Sequence, residues 1–208
     1  WTNVEALPLN NKTHSFSNPS LSKDGKTLYF ASNMPGGFGE SDIWKVSVNH
    51  NSYGAPENLG AKINTAGKEN FPFISDDNIL YFSSTSRQGF GGLDVFKADL
   101  NTSSEPQNVG KPVNTEQDDF SFSFNSKENV GYFSSNRNGS DAIFQASPIC
   151  VAETLVVVSD KKSQKVLSNA EVSILDSKGN VIAKKLSNNK GEVSFDVDCN
   201  SSYSLYVK

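Results

Sequence analysis

Three aspartates recur just ahead of an apolar run, in Asp42-Ile43-Trp44, Asp94-Val95-Phe96 and Asp141-Ala142-Ile143-Phe144. A carboxylate so placed can ligate Ca²⁺ through oxygen, or accept backbone N–H groups and fasten a turn. No contiguous Ca²⁺-loop pattern surrounds them, so fastening is the expected role and no metal site is assigned. His14 and His50 are isolated, and neither has a zinc-ligand spacing. The acid pairs Asp76-Asp77 and Asp118-Asp119 are adjacent, so on a strand their side chains point to opposite faces, a poor geometry for acid–base work. No Gly-x-Ser-x-Gly is present. The stretches Gly36-Gly37-Phe38-Gly39 and Gly89-Phe90-Gly91-Gly92 are no phosphate cradle, because no helix follows and no Lys-Ser/Thr closes them. Positive φ in tight turns is their expected cause. The expectation is therefore a protein with no catalytic residue and no cofactor, not an enzyme.

The residues that can bind a partner lie in loops. In an up-and-down blade, alternate connections fall on one side of the sheet. The Gly-rich loops therefore share a rim with the blade-to-blade connectors. That rim gathers Phe38, Asn64, Thr65, Arg87, Phe90, Asn114, Thr115, Asp118 and Arg137. These nine form the candidate binding rim, with ordinary solvated loops as the alternative.

A repeated phrase must position them. Leu28-Tyr29-Phe30-Ala31-Ser32, Leu80-Tyr81-Phe82-Ser83-Ser84 and Gly131-Tyr132-Phe133-Ser134-Ser135 recur with a period of about fifty residues. Strands and turns alone fill each copy, so the copies read as four-stranded blades of a β-propeller, near residues 16–65, 66–115 and 116–148. The connectors repeat as well, Pro56 to Thr65 matching Pro106 to Thr115, and Val4 to Asn10 reads as a degenerate copy. About three blades do not close a ring of about four to eight. Further blades outside this sequence are the favoured expectation, over an arc completed by another chain. The third copy departs from the second, with Ser121 in place of Pro72 and a shorter loop before Asp141.

After residue 148 the aromatic phrases stop. Short aliphatic strands from Leu155, Glu171, Val181, Val193 and Tyr203 alternate with turns at Asp160–Gln164, Ser177–Asn180 and Asn188–Gly191. Residues 149–208 therefore read as a small Ig- or transthyretin-like β-sandwich, with the chain expected to continue beyond both of its ends. Cys150 and Cys199 flank this domain. They can pair in an oxidising compartment or remain two reduced, buried thiols.

Bulk properties set bounds. The 208 residues carry 19 Lys and Arg against 23 Asp and Glu, a net charge of −4, which gives no support for nucleic-acid binding. No run of apolar residues is long enough to span a bilayer as a helix.

Ser22-Lys23-Asp24-Gly25-Lys26-Thr27-Leu28-Tyr29-Phe30-Ala31-Ser32-Asn33 and its copies resemble the WD40-like (PD40, TolB-type) propeller repeat. The connector Asn-Leu/Val-Gly-x-x-Ile/Val-Asn-Thr, followed by Phe71-Pro72-Phe73-Ile74-Ser75, resembles OmpA-family envelope proteins of Bacteroidetes. Val166 to Val172 and Asn188 to Phe195 are similar to the carboxypeptidase-regulatory-like sandwich that follows the propeller in that family. The resemblance implies a periplasmic or outer-membrane-associated scaffold, in some members an accessory of type IX secretion. Its implied partner is an envelope or secretion-complex protein. Cell-wall contact would come only through an OmpA domain that no residue here supplies. The sandwich carries no zinc ligands despite its family name. The leading expectation is thus a non-enzymatic scaffold of the envelope. A sugar- or peptide-binding propeller and a propeller glycan lyase or hydrolase are the alternatives.

Overall fold

A computed structural model of the chain describes residues 2–50, 52–148, 151–198 and 201–208. Every regular element among them is a strand. No helix is long and apolar enough to cross a membrane. The chain divides into two compact units, Trp1–Ser147 and Pro148–Lys208. Cys150 and Cys199 lie outside the described residues.

The first unit holds three blades. Blade 1 is built from β1 (Phe16–Leu21), β2 (Thr27–Ser32), β3 (Asp42–Asn49) and β5 (Glu57–Asn58), with β4 (Ser52–Tyr53) extending β3 as a short hairpin. Blade 2 is β6 (Glu69–Ile74), β7 (Ile79–Ser84), β8 (Asp94–Asp99) and β9 (Gln107–Asn108) in sequential order. Blade 3 is β10 (Asp119–Asn125), β11 (Val130–Ser135) and β12 (Ala142–Ala146). All pairings within blades are antiparallel. The third blade has three strands, not four, because the chain leaves it after β12 for the second unit.

The sequence explains these elements locally. The β1–β2 turn closes on Asp24, whose carboxylate accepts the Ser22 hydroxyl at 2.6 Å and the Lys26 N–H at 3.0 Å. Gly25 then takes φ +71°. Asn78 and Asn129 fill the matching left-handed position in the other two blades, at φ 63° and 51°, since Asn tolerates that conformation best after Gly. Each first strand carries a bulge, where Asn18, Phe71 and Ser121 have φ between 52° and 55°. The bulge aligns Ser121 with Phe71. The expected exchange of Pro72 for Ser121 is therefore one residue out of register, and Phe122 stands in the place of Pro72.

Strand alternation then builds the packing. In β2, Tyr29 and Ala31 face blade 2, while Leu28 and Phe30 face the opposite side. β6 lies against β1, β2 and β3, and β10 lies against β6, β7 and β8. Between blades 1 and 2 the core is Tyr29, Ala31, Ile43, Ile63, Ile74, Leu80, Phe82 and Phe96. Between blades 2 and 3 it is Val95, Phe122 and Phe133, flanked by Tyr81 and Phe144. Each such side chain, fully buried, contributes about 1.5–3 kcal/mol, and aromatics dominate because they bury the most area per residue.

The second unit is a small sandwich. β13 (Val151–Val157) pairs with β16 (Glu192–Asp198), and β14 (Glu171–Leu175) is flanked by β15 (Val181–Leu186) and β17 (Ser204–Val207). Val158, Val172, Ile174, Val193 and Phe195 form its core. β13 begins at Val151, earlier than the aliphatic run from Leu155 suggests.

Candidate functional site

Asp42 and Asp94 are each 1 % exposed, and both face their own Gly-rich loop. Asp42 Oδ2 accepts the Phe38 N–H at 2.6 Å, and Oδ1 accepts the Gly39 N–H at 3.2 Å. Asp94 Oδ2 accepts the Phe90 and Gly91 N–H groups at 2.9 and 3.1 Å. Hydrogen bonds to an ionised acceptor are the stronger kind, so each loop is tied to its blade by its aspartate. The third copy breaks the pattern. The register pairs Ser32 with Asp42, Ser84 with Asp94, but Ser135 with Ala142. Ala142 thus occupies the aspartate position, and Asp141 is exposed beside it.

The same geometry explains the glycines. A Cβ on Gly37 or Gly89 would collide with the Asp42 or Asp94 carboxylate, and one on Gly39 or Gly91 would strike the Thr65 or Thr115 carbonyl of the next connector. Of the glycines in these two loops only Gly36 has positive φ. Close approach, rather than turn conformation, is the main reason for glycine here.

The connectors use their polar residues internally. Asn64 Oδ1 accepts the Ile43 N–H at 2.7 Å, and its Nδ2 donates to the Ile43 carbonyl at 2.9 Å and to Asn58 Oδ1 at 2.8 Å. Asn114 repeats this on Val95 at 2.8 and 2.8 Å, and on Asn108 at 2.7 Å. Each side-chain amide thus completes the blade's third strand as a further peptide would, and the two asparagines are 1 % and 0 % exposed. Thr65 donates its N–H and hydroxyl to Glu69, and Thr115 donates both to Asp119. Asp118 accepts the Leu93 N–H at 2.8 Å and the Asn136 amide at 3.2 Å.

Both arginines lie over aromatic rings and cap connector carbonyls. Arg87 sits 5.8 Å from the Phe82 ring and 5.9 Å from Phe96, donating to the Lys62 and Ile63 carbonyls. Burial pulls its pKa down, and the charges of Glu69 and Glu105 oppose that shift. Arg137 sits 5.0 and 4.6 Å from Phe133 and Phe144, donates to the Pro112 and Val113 carbonyls, and pairs with Asp119 at 2.6 Å.

Seven of the nine rim residues are therefore structural: Asn64, Thr65, Arg87, Asn114, Thr115, Asp118 and Arg137 spend their polar groups on the fold. Their role as free binding groups is corrected accordingly. Phe38 and Phe90 remain, 51 % and 45 % exposed, at matching places on successive loops. Lys111 Nζ lies 5.3 Å from the Phe90 ring. Gly39 and Gly91 abut the connectors, so both loops do share the connector side of their blades.

Among the described residues no three His, Cys, Asp or Glu side chains cluster to hold a metal. An open cleft of about 290 Å³ is lined by Ile79, Tyr81, Lys97, Asp99, Ser104, Glu105 and Gln107. No motif announced it, because its walls come from β7, β8 and an irregular link that are distant in sequence.

No family model and no curated protein matches the chain. Among solved structures it is similar to TolB from Acinetobacter baumannii, with 11 % identity, a TM-score of 0.43, and coverage of 92 % of this chain and 44 % of that one. It is also similar to prolyl oligopeptidase B from Galerina marginata, solved bound to a 35mer hydrolysis and macrocyclization substrate, with 12 % identity and a TM-score of 0.44. That match covers 81 % of this chain and 30 % of the other. The chain thus spans less than half the length of either structure, and likenesses at these scores carry no information about activity.

Proposed function

We propose that the chain is a non-enzymatic protein-interaction scaffold whose recognition surface centres on Phe38 and Phe90. One observation carries this: the fold consumes the polar groups of the repeated loops and leaves two aromatic side chains projecting at equivalent points. Exposed aromatics of this kind, with a cation alongside, are typical anchors for a protein partner. The carboxylates at these loops are already bound to backbone N–H groups, which leaves them unsuited to acid–base chemistry.

The repeat's resemblance to envelope propellers supports an extracytoplasmic site of action, with a secretion or envelope complex of the type IX kind as the partner class. Cell-wall anchoring would belong to a separate OmpA domain. Immobilised wild-type chain incubated with envelope extract should retain a discrete partner, and a Phe38→Ser, Phe90→Ser double variant should lose it. Equal retention by both would reject the proposed surface. Glycosidase and peptidase assays should stay blank; turnover by the purified chain would reject the scaffold reading. The same two phenylalanines also suit a sugar or peptide ligand, and saturable calorimetric binding of an oligosaccharide or short peptide that the double variant abolishes would favour that alternative.

A further inference from the structure

We propose that the outer face of blade 3 is where two copies of this chain meet about a two-fold axis. The pairing of second and third strands sets Tyr29, Tyr81 and Tyr132 at one repeat position, and Ile43, Val95 and Ile143 at another. Tyr29 is 6 % exposed, and Ile43 and Val95 are 0 %, whereas Tyr132 is 48 % and Ile143 79 % exposed. In the first two blades these positions are covered by the first strand of the next blade. Ile74 shares the core of Tyr29, and the Phe122 ring lies 4.9 Å from Tyr81. The third blade presents the same apolar face without that cover.

The occupant follows from what else is open. The opposite end of the blade stack is already sealed: Phe30, Trp44 and Val46 are 3 %, 6 % and 1 % exposed, packed against Leu9, Phe16, Met34 and Tyr53. Head-to-tail stacking of copies therefore meets no open apolar sheet face there. The same blade-3 face on a second copy is open, and a patch that meets itself gives a closed two-fold pair. The charge pattern agrees. Tyr29 pairs with Lys45 and Tyr81 with Lys97, but Tyr132 pairs with Gln145. Cross-strand partners share a face, so Ser123, Tyr132, Ser134, Ile143 and Gln145 form an uncharged surface. A lysine at the Gln145 position would set like charges against each other across the axis.

Sedimentation velocity over a concentration series tests this directly. The wild-type chain should show a reversible dimer. Ile143→Glu and Gln145→Lys should each raise the dimer dissociation constant by about tenfold or more, with far-UV circular dichroism unchanged because both positions are at the surface. Should Ile143→Glu fail to fold, the polar exchange Gln145→Lys carries the test alone. A wild-type monomer at every concentration would overturn the proposal. So would a dimer that neither substitution weakens, since association would then use another surface.

Discussion

The connector from blade 1 to blade 2 and the connector from blade 2 to blade 3 hold the same backbone with different charge arrangements. In the first, Glu69 reaches both Thr65 and the Ser84 hydroxyl, each at 2.6 Å, and no ion pair to Arg87 forms. Arg87 caps carbonyls only, and its buried Nε has no partner. In the second, Asp119 is one methylene shorter and pairs with Arg137 instead. The Nε of that arginine donates to Ser135 Oγ at 2.9 Å. One carboxylate is satisfied by hydroxyls and the other by a cation, and both are 0 % exposed. What the fold requires is thus a satisfied acceptor under the Thr N–H, not a salt bridge as such.

The largest effect should come from breaking the ion pair. Arg137→Ala leaves the Asp119 charge buried and unpaired, which costs about 3–5 kcal/mol, read as a lowered urea midpoint. Arg87→Ala should cost visibly less, about 1–2 kcal/mol, because no buried carboxylate loses its counter-charge. Equal losses in the two variants would erase the distinction between the connectors.

Much of this organisation was legible in the residues. The Tyr-Phe phrase and its period marked the blades, and Asp42 and Asp94 were readable as turn fasteners. Other features were hidden because they depend on partners distant in sequence. Asn64 and Asn114 look like loop asparagines until the fold sets them against Ile43 and Val95. Asp141 looks like a third fastener, yet the shorter loop moves Ala142 into register. A polar residue's type shows that it needs a partner; only the fold shows whether that partner is internal.

The smallest effect concerns acid. The Ser22 hydroxyl, then the Lys26 N–H, hold the Asp24 carboxyl below its ordinary range. Asp160 and Asp176 are lowered in the same way by turn hydrogen bonds in the second unit. A folded-state pKa below the unfolded one gives stabilisation that is complete above the unfolded value of 3.8 and lost as pH falls through the folded value. Asp24→Asn should therefore narrow the gap in melting temperature between about pH 6 and about pH 3. An unchanged gap would show that this turn contributes nothing to acid sensitivity.

The central claim separates residues that hold the rim together from residues that project from it. Thermal melts of two double variants, Asn64→Ala with Asn114→Ala and Phe38→Ser with Phe90→Ser, test it most directly. The asparagine variant orphans buried backbone groups of Ile43 and Val95, each worth about 1–3 kcal/mol, so its melting temperature should fall by several degrees. The phenylalanine variant should melt with the wild type. A phenylalanine variant that melts early, or an asparagine variant that does not, would contradict the account.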